Sequence, residues 1–511
     1  MSKVSPPTAP TVGFISLGCP KNLVDSEVMM GLLDRAGARL TGKPEEAEIL
    51  VVNTCSFIDS AKQESVDTIL EMARHKTEGR ASKLIVAGCL VERYRDEIRK
   101  NIPEVDAVVG TGELESILEA AGVQQAPRPA SPFNILTSVQ AEVHLGQESL
   151  SGTHKAPAVR PTPARAEGDL REQQGRFTRD DWEGAAHMLP TYLYDETTPR
   201  LLATGKASAY IKIAEGCDHP CTFCVIPNLR GKFRSRRFES VVAEARSLVE
   251  RGVQEITLIG QDTTCYGEDL GLKDGLALLL DELAKIEGLR WLRFLYAYPN
   301  RITGKLLETI AKHDNICKYL DVPLQHASAS VLKSMKRGAG ADIFLKTLDK
   351  VRAAVPGIAL RTSFIVGFPG ETAEDVKVLE DFVKAAKFDW LGVFTYSDEE
   401  GSGAFAYDGK VAKRTIESRK RKLMKLQQGI SKEAKQQWVG RELVILAEGE
   451  SEETPLLWEG RTQFHAPEID GKVYINDFGD LEALEGGRFY RAEITEAHDY
   501  DLVARITSGP M

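Results

Sequence analysis

Between residues 11 and 121, short apolar runs alternate with stretches of helical periodicity. The apolar runs are VGFISLGC, ILVVNTC and KLIVAGC, and the helical stretches are SEVMMGLLDRAG and AKQESVDTILEMARH. Continuous apolar strands separated by amphipathic helices are typical of a parallel sheet that is covered on both faces. The pattern therefore predicts an α/β fold, with a doubly wound parallel-sheet domain over residues 11–121.

This alternation is lost over residues 122–200. The stretch has little continuous apolar sequence, and prolines interrupt it, among them Pro127, Pro129, Pro132, Pro157, Pro161 and Pro163. Proline lacks a backbone donor and breaks regular elements. We interpret the stretch as a proline-rich linker or insertion.

Periodicity returns at ASAYIKIAEGC, and six strand-like runs follow with helical stretches between them. The runs lie near residues 207–214, 255–260, 291–297, 318–324, 359–367 and 390–396. Repeated βα units predict a partial (β/α)6 barrel over residues 201–410, with its active site at the C-terminal ends of the strands. Residues 411–437 predict a basic helical connector. Residues 438–508 show short strands with turn signals, which is typical of a small β-barrel of the oligonucleotide-binding (OB) type.

The charge distribution adds a clue about partners. The 511-residue chain has a net charge of −10. From Trp438 to the end there are sixteen acidic and six basic side chains, so this stretch alone accounts for −10. A module this acidic repels phosphate backbones and attracts basic partners.

Neither a membrane span nor a secretory signal is predicted. The longest apolar runs fall short of 18 residues, and the N-terminal MSKVSPPTAP lacks the apolar core of a signal peptide. We therefore expect a cytoplasmic protein without a membrane partner. In a reducing compartment its eight cysteines are expected to be thiols, ligands or nucleophiles rather than disulfides.

The strongest chemical motif is Cys217-Asp-His-Pro-Cys221-Thr-Phe-Cys224, directly after the first barrel strand. Three thiolates at spacings of four and three can face one metal centre from a single loop, and thiolates at this density select iron–sulfur clusters or zinc. A 4Fe–4S cluster held by three cysteines keeps one iron with an open coordination position. The alternative is a structural zinc loop with a distant fourth ligand, for which His219 is a candidate.

Three further cysteines occupy equivalent places in the N-terminal domain. Cys19, Cys55 and Cys89 each end an apolar strand-like run, and the ends of parallel strands share one edge of a sheet. One such cysteine would most simply be a buried core residue. Three of three favour a single metal site. Cys265 and Cys317 lack this placement, and we interpret them as incidental thiols.

Several polar or glycine residues stand where apolar barrel strands stop. They are Gln261 in LIGQD, Gln325 in DVPLQH, and Arg361 and Gly367 in RTSFIVGFPGE. Ligand contacts of barrels collect at such positions, so we predict that these four bind the cofactor. For Gly367 and Gly370 a simple turn before a helix N-cap is an equally good interpretation.

A CxxxCxxC motif at the end of the first strand of a barrel resembles that of the radical S-adenosylmethionine (SAM) enzymes. The resemblance covers residues 207–396. It implies that Cys217, Cys221 and Cys224 hold a 4Fe–4S cluster whose open iron binds SAM, and that SAM is cleaved to a 5′-deoxyadenosyl radical. It also implies that Phe223 lies near the adenine of SAM.

The whole chain from about residue 11 to 508 resembles the radical SAM methylthiotransferases, apart from residues 122–200, which are longer than is usual there. The resemblance implies that Cys19, Cys55 and Cys89 hold an auxiliary 4Fe–4S cluster that carries the sulfur, and that the terminal barrel is a TRAM domain. One SAM would methylate the sulfur and a second would supply the radical, reduced by a low-potential electron donor. No acid–base residue is expected, because no side-chain base removes a proton from an unactivated carbon.

Within that family some members modify an adenosine in tRNA (isopentenyl- or threonylcarbamoyl-adenosine), and others modify the β-carbon of an aspartate in ribosomal protein S12 of the small subunit. The elements APEIDG and YSDEEGSGAF resemble the second branch. The acidic terminal module also favours a basic ribosomal protein over nucleic acid as the partner. We further expect basic residues after the cysteine loop, notably Arg234 and Arg236, to steer the acidic target side chain. An alternative of another class is a non-catalytic iron–sulfur protein that transfers electrons or carries clusters.

Overall fold

The structure is a computed structural model that describes residues 9–124 and 190–511, apart from residues 206, 453 and 455. Most of the proline-rich segment predicted over 122–200 therefore lies outside the described residues. None of the helices in the described ranges is both long enough and apolar enough to span a membrane.

The N-terminal domain is a five-stranded parallel sheet in the order β2-β1-β3-β4-β5. Its strands are β1 (Thr11–Ser16), β2 (Arg39–Thr41), β3 (Ile49–Thr54), β4 (Lys83–Gly88) and β5 (Ala107–Val109). Its helices are α1 (Pro20–Arg35), α2 (Asp59–Thr77), α3 (Cys89–Asn101) and α4 (Ile117–Ala121). Helices α1 and α4 cover one face and α2 and α3 the other, which leaves every residue of β3 buried. The predicted doubly wound domain is confirmed.

The second domain is an open barrel built from two three-stranded parallel sheets, β6-β9-β10 and β11-β12-β13. Single bridges, one of them Leu292 to Ile316, add to the pairing of its strands. The six strands are β6 (Ser208–Lys212), β9 (Glu255–Ile259), β10 (Trp291–Phe294), β11 (Tyr319–Asp321), β12 (Ala359–Val366) and β13 (Trp390–Thr395). A two-stranded antiparallel ribbon, β7 (Ala214–Glu215) with β8 (Arg234–Ser235), follows the first strand. All six strands predicted from the apolar runs are confirmed.

Helices separate the barrel strands and cover the outside of the barrel with a continuous apolar core. They are α5 (Ile226–Arg230), α6 (Phe238–Glu250), α7 (Gly275–Leu283), α8 (Gly304–Lys312), α9 (Ala329–Ser334), α10 (Ala341–Ala354) and α11 (Ala373–Ala386). The predicted basic connector is the 24-residue helix α12 (Lys413–Gln436), which packs along β13 through buried Ile416 and Leu423.

The C-terminal domain is a closed five-stranded barrel in the order β14-β15-β16-β18-β17. Its strands are β14 (Glu442–Glu450), β15 (Trp458–Thr462), β16 (Val473–Asp477), β17 (Arg488–Ala497) and β18 (Leu502–Ser508). Inward-facing apolar residues on every strand form its own small core. The predicted OB-like barrel is confirmed.

This small barrel packs against the N-terminal ends of the large barrel's strands. Arg461 pairs with Glu255, the first residue of β9, and Trp390, the first residue of β13, donates its indole N–H to the Phe464 carbonyl (2.7 Å). Because parallel barrel strands all run in one direction, the acidic domain lies at the end of the large barrel opposite to the cysteine loop.

The N-terminal domain is held to the barrel through α1 and the end of the proline-rich segment. Residues 190–205 run between α1 and α6, where the buried Arg200 guanidinium pairs with Glu27 (2.5 Å) and Glu244 (2.7 Å). The main chain of this segment passes so close to α1 that a Cβ on Gly31 would lie 2.5 Å from a carbonyl carbon at Pro199. This part of the segment is therefore a packed interdomain element.

Candidate active site

The Cys217–Cys224 loop leaves the barrel at the C-terminal end of β6. Gly216, directly before it, has φ +78°, and a Cβ there would lie 2.5 Å from the Gly231 carbonyl oxygen, so only glycine fits. Thr222 anchors the loop, because its amide donates to the Met335 carbonyl (3.1 Å) and its carbonyl accepts from the Ala404 amide (2.7 Å). The loop is thus fixed to the barrel from two sides.

Burial dominates the chemistry of these thiols. It raises the pKa of Cys217 to about 11 and that of Cys224 to about 12. The Arg337 guanidinium lies 3.7 Å from the Cys221 Sγ and is therefore placed to stabilise negative charge on that sulfur. A metal bound by this loop would deprotonate its cysteine ligands.

His219 has a place of its own in the loop. Its Nε2 lies 2.6 Å from Asp262 Oδ2, and its ring stacks on Tyr298 at 3.9 Å between centroids. Cys265 Sγ donates to the same Asp262 oxygen (3.0 Å). Arg337 covers the Tyr298 ring at 4.3 Å. These contacts hold His219, which belongs to the cysteine loop, against Asp262 and Tyr298 of the barrel.

The three N-terminal cysteines lie at one edge of the sheet. Cys19 is the N-cap of α1, Cys55 follows β3, and Cys89 is the first residue of α3. Gly18 has φ +89°, and a Cβ there would lie 3.1 Å from the Cys55 Sγ, so the first loop lies directly against the second. Helix N-termini, such as those at Cys19 and Cys89, favour negative charge on nearby sulfur.

Hydrogen bonds hold these three loops together. Asn22 Nδ2 donates to the carbonyl oxygens of Leu17 (2.7 Å) and Thr54 (3.2 Å), which precede the first two cysteines. Ser56 Oγ donates to the Cys89 carbonyl (2.9 Å), which joins the second loop to the third. The structure therefore brings together the three cysteines that the strand-end pattern singles out.

Their pKa values move in different directions. Burial raises the pKa of Cys19, but the neighbouring Lys21 and Arg230 charges outweigh it, so the net pKa is lowered. Burial raises the pKa of Cys55, and it raises that of Cys89 to about 12. Of the three thiols, Cys19 is therefore the one whose pKa is lowered.

One buried arginine joins the barrel to the N-terminal cysteine group. Arg230 ends the short helix α5, which follows the Cys217–Cys224 loop, and its side chain is 2% exposed. Its Nη2 lies 3.5 Å from the Cys89 Sγ, and its Nη1 donates to Asp25 (2.8 Å) and Glu215 (3.2 Å). A side chain from the barrel thus reaches the sulfur of the N-terminal group.

The sulfur atoms of each cysteine triplet are spread more widely than the ligands of a single ion. Among the described residues, His219, Asp262 and Cys265 form a close group of possible metal ligands. Their ligand atoms all lie within 4.8 Å of one another. Neither cysteine triplet is that tight, whereas a zinc ion with Zn–S bonds of about 2.3 Å needs sulfurs about 3.8 Å apart. In a 4Fe–4S cluster each cysteine takes a different iron, so the sulfurs stand farther apart. The donor sets fit clusters.

Three of the predicted cofactor contacts lie at the C-terminal ends of the barrel strands. Phe223 packs beside Phe368 and Ala404. Gln261 Nε2 donates to Glu215 (2.6 Å), while its buried Oε1 has no partner among the described residues. Gln325 follows β11 with φ +73°. An unsatisfied buried acceptor such as Gln261 Oε1 is a site where a ligand donor is needed.

Arg361 and Gly367 are placed differently. Arg361 is the third residue of β12, and its guanidinium pairs with Asp321 (2.8 Å) and with Asp470 of the small barrel (3.3 Å). It lies toward the end of the barrel opposite to the cysteine loop. Gly367 has φ +85° and abuts Ile416 of α12, so a helix contact explains it. The structure does not bring these two to the other three.

Replacing Gly367 by alanine is expected to destabilise the protein more than the same change at Gly370. Both glycines have positive φ (+85° and +81°), so alanine pays a conformational cost of about 1–2 kcal/mol at either position. At Gly367 the new Cβ would also lie 2.6 Å from the Ile416 Cδ1, while nothing lies within 4 Å at Gly370. Overpacking adds about 1–3 kcal/mol. Thermal melting midpoints of the two variants measure the difference, and equal shifts would refute the packing argument.

The expectation that Arg234 and Arg236 steer an acidic substrate is wrong. Arg236 is 2% exposed and pairs with Glu244. Arg234 donates to the carbonyl oxygens of Arg230 (2.9 Å) and Tyr192 (3.0 Å). Both guanidinium groups are used inside the protein because the loop folds back onto the barrel.

A second link between the domains escaped the sequence analysis. Glu399, in the loop after β13, is 1% exposed and accepts from Arg93 Nη1 (2.7 Å) and Lys62 Nζ (2.9 Å) of the N-terminal domain. The partners stand 306 and 337 positions apart in the chain, so no local pattern could predict the pairs. The same loop contacts the cysteine motif through the amide of Ala404.

Comparison with known proteins agrees with this geometry. Residues 11–110 match the uncharacterized protein family UPF0004, residues 211–383 the radical SAM superfamily, and residues 439–507 the TRAM domain. The fold and the two cysteine groups, together with these matches, define a radical SAM enzyme with a TRAM domain. Membership of the superfamily implies SAM and one 4Fe–4S cluster as cofactors.

Full-length relatives identify the family. The chain is 67% identical to the ribosomal protein uS12 methylthiotransferase RimO of Koribacter versatilis, over 98% of this chain and 97% of that protein. It is 56% identical to the protein of the same name from Solibacter usitatus, over 97% and 94%. Among solved structures, the radical SAM methyltransferase TsrM of Kitasatospora setae aligns with a TM-score of 0.43 at 16% identity, over 76% of this chain and 72% of that chain. The chain belongs to the RimO family of radical SAM methylthiotransferases.

Proposed function

We propose that this chain transfers a methylthio group to the β-carbon of an aspartate in ribosomal protein uS12. The observation that carries the proposal is the contact of Arg230 with Cys89, because it ties the short helix that follows the barrel's cysteine loop to a sulfur of the N-terminal cysteine group (3.5 Å). A reaction that replaces C–H by C–S needs a radical source and a sulfur source close to one carbon atom. The relatives supply the identity of the substrate.

The proposal includes two clusters. Cys217, Cys221 and Cys224 would hold the one at which SAM binds, and Cys19, Cys55 and Cys89 would hold an auxiliary one. When bound, the clusters and SAM supply the radical and the sulfur, which no amino-acid side chain provides. The protein's own contribution is to hold both sites rigidly in line.

Gln261 is the best-supported contact to SAM. Its Nε2 is held by Glu215, whose pKa is lowered because the charges of Lys212 and Arg230 outweigh its burial. This leaves the buried Oε1 as a fixed acceptor at the end of β9. We propose that it receives a donor group of SAM, with Phe223 and Gln325 forming further walls of the site.

The acidic TRAM domain would act at a distance from the reacting atoms. It packs at the N-terminal ends of the barrel strands, opposite to the cysteine loop, and it carries the whole net charge of −10. We propose that it attracts the basic ribosomal protein electrostatically, which raises the rate of encounter, while other surfaces present the aspartate. The same charge disfavours tRNA as the substrate.

The remaining parts of the proposal concern its setting. A low-potential electron donor is needed to reduce the cluster at which SAM is cleaved. Since uS12 is a ribosomal protein, we propose that the enzyme works in the cytoplasm.

The proposal is tested with protein reconstituted anaerobically with iron and sulfide, then given SAM and a reductant. Purified uS12 and total tRNA are offered in separate reactions, and mass spectrometry looks for a gain of one methylthio group. We expect the gain on one aspartate of uS12 and none on tRNA. Modified tRNA with unmodified uS12 would overturn the substrate, and no 5′-deoxyadenosine in either reaction would overturn the enzyme class.

A further inference from the structure

Lys21 is a buried cation that reaches from the N-terminal domain to the barrel. It is the second residue of α1, two positions after Cys19, and it is 8% exposed. Its Nζ lies 3.5 Å above the centre of the Tyr296 ring and 3.5 Å from the Gly260 carbonyl oxygen, which is long for a hydrogen bond. An ammonium group offers three donors, so these contacts leave much of its capacity unused.

The neighbouring buried cations, Lys212 and Arg230, have carboxylate partners. Lys212 pairs with both Asp25 and Glu215, and Arg230 pairs with the same two carboxylates. No carboxylate of the described residues lies within 4 Å of the Lys21 Nζ, although burying an unpaired charge is costly. The two carboxylates thus serve two of the three cations, and Lys21 has no carboxylate partner among the described residues.

The position of this ammonium group matches that of a substrate site. Gly260 follows β9 directly before Gln261, and Tyr296 follows β10, so the Nζ lies at the C-terminal ends of two barrel strands, where barrels bind their ligands. Tyr296 is held there with φ +63° by a hydrogen bond from its amide to Asp321 (3.0 Å). Unusual backbone of this kind is concentrated at functional sites.

We infer that the Lys21 ammonium binds the side-chain carboxylate of the target aspartate, an inference that rests on the function proposed above. The reacting β-carbon is one bond from that carboxylate. Fixing the carboxylate at this ammonium group therefore fixes the carbon at the C-terminal ends of the barrel strands, on the side of the N-terminal domain. An asparagine at the same place would turn an amide N–H₂ or a neutral oxygen toward the ammonium, so Lys21 also determines specificity.

The competing role for Lys21 is that of a counter-charge to the Cys19 thiolate alone. The two roles differ in one respect: a counter-charge does not distinguish aspartate from asparagine in the substrate. A double-substitution experiment, one change in the enzyme and one in uS12, therefore separates them.

The experiment offers an equal mixture of uS12 and uS12 with its target aspartate changed to asparagine to reconstituted enzyme. The product ratio gives the ratio of the two kcat/KM values directly. For the unaltered enzyme we expect a preference for aspartate of about 30-fold or more, the size of a broken buried charge pair. For Lys21→Gln we expect this preference to fall to within about threefold. Lys43→Gln, an exposed lysine of the same domain paired only with Glu46 among the described residues, should keep the full preference.

Iron content and the EPR spectrum of Lys21→Gln are expected to match those of the unaltered enzyme. If the variant modifies neither form of uS12, the test is the dissociation constant of each form, measured without reductant. Equal dissociation constants support the inference. An undiminished preference of the variant for the aspartate form overturns it. Loss of half the iron with an equal effect on both forms would assign Lys21 to the cluster and also overturn it. If the unaltered enzyme modifies no uS12 at all, the proposed function fails, which is a separate outcome.

Discussion

Changing Cys19, Cys55 and Cys89 together to alanine is expected to leave a protein that still cleaves SAM but no longer methylthiolates uS12. The barrel loop that carries the other three cysteines is anchored by Thr222 to Met335 and Ala404, and none of these contacts involves the N-terminal domain. Iron should fall from about eight to about four atoms per chain, because each 4Fe–4S cluster contributes four. The measurements are iron and sulfide content, 5′-deoxyadenosine formation and the mass of uS12.

The complementary variant, with Cys217, Cys221 and Cys224 changed to alanine, should lose the same amount of iron and both activities. Cys317→Ala serves as the control, since this thiol belongs to neither cysteine triplet. Cys317 lies in the core at 2% exposure, and its replacement should leave the iron content intact. Four irons in the unaltered protein, with none lost from the N-terminal variant, would show that there is no auxiliary cluster.

Changing Glu399 to alanine should lower methylthiolation at least about tenfold while SAM cleavage continues. The variant leaves the largely buried Arg93 and Lys62 without their shared carboxylate, and breaking a buried ion pair costs about 3–5 kcal/mol. This loosens the N-terminal domain over the barrel, so the sulfur source loses its alignment with the radical source. The ratio of 5′-deoxyadenosine to methylthiolated uS12 measures the uncoupling.

Glu400→Ala is the matched control. That neighbouring side chain is exposed, and Arg93 Nη2 contacts only the main-chain carbonyl oxygen of the residue (3.1 Å), which the substitution keeps. Glu399→Gln retains an acceptor without the charge and should give an intermediate ratio. Parallel loss of both activities in Glu399→Ala would instead mean that the residue supports the SAM site itself.

Much of the fold could be predicted because its signals are local. The six barrel strands and the alternating elements of the N-terminal domain follow from short apolar runs and from helical periodicity. Both patterns involve only residues that are close together in the sequence. The placement of Cys19, Cys55 and Cys89 at one edge follows from the rule that parallel strands end together. That prediction needed only the three strand ends and the assumption that the strands are parallel.

Predictions for single polar residues were less successful where a distant partner decides the role. Arg236 lies in a basic stretch after a cysteine motif, and the sequence alone predicts a free cation there. In the structure it is buried and pairs with Glu244. Arg361 lies on β12, whose C-terminal end is at the site, but its side chain forms an ion pair with Asp470 of the C-terminal domain. The sequence indicated the charge of each and left its partner open.

By itself, then, the sequence determined the elements, their order, the two cysteine groups and the acidity of the last domain. Each of these follows from residues that lie close together along the chain. Only the tertiary structure decided that Arg230 touches Cys89 and that Glu399 joins two domains. It also decided that Lys21 is buried with no carboxylate from the described residues beside it, and that the acidic barrel lies at the far end of the large one. These are contacts between residues that packing brings together from distant parts of the chain. Burial then sets their strength, since charges removed from water interact strongly with whatever lies beside them.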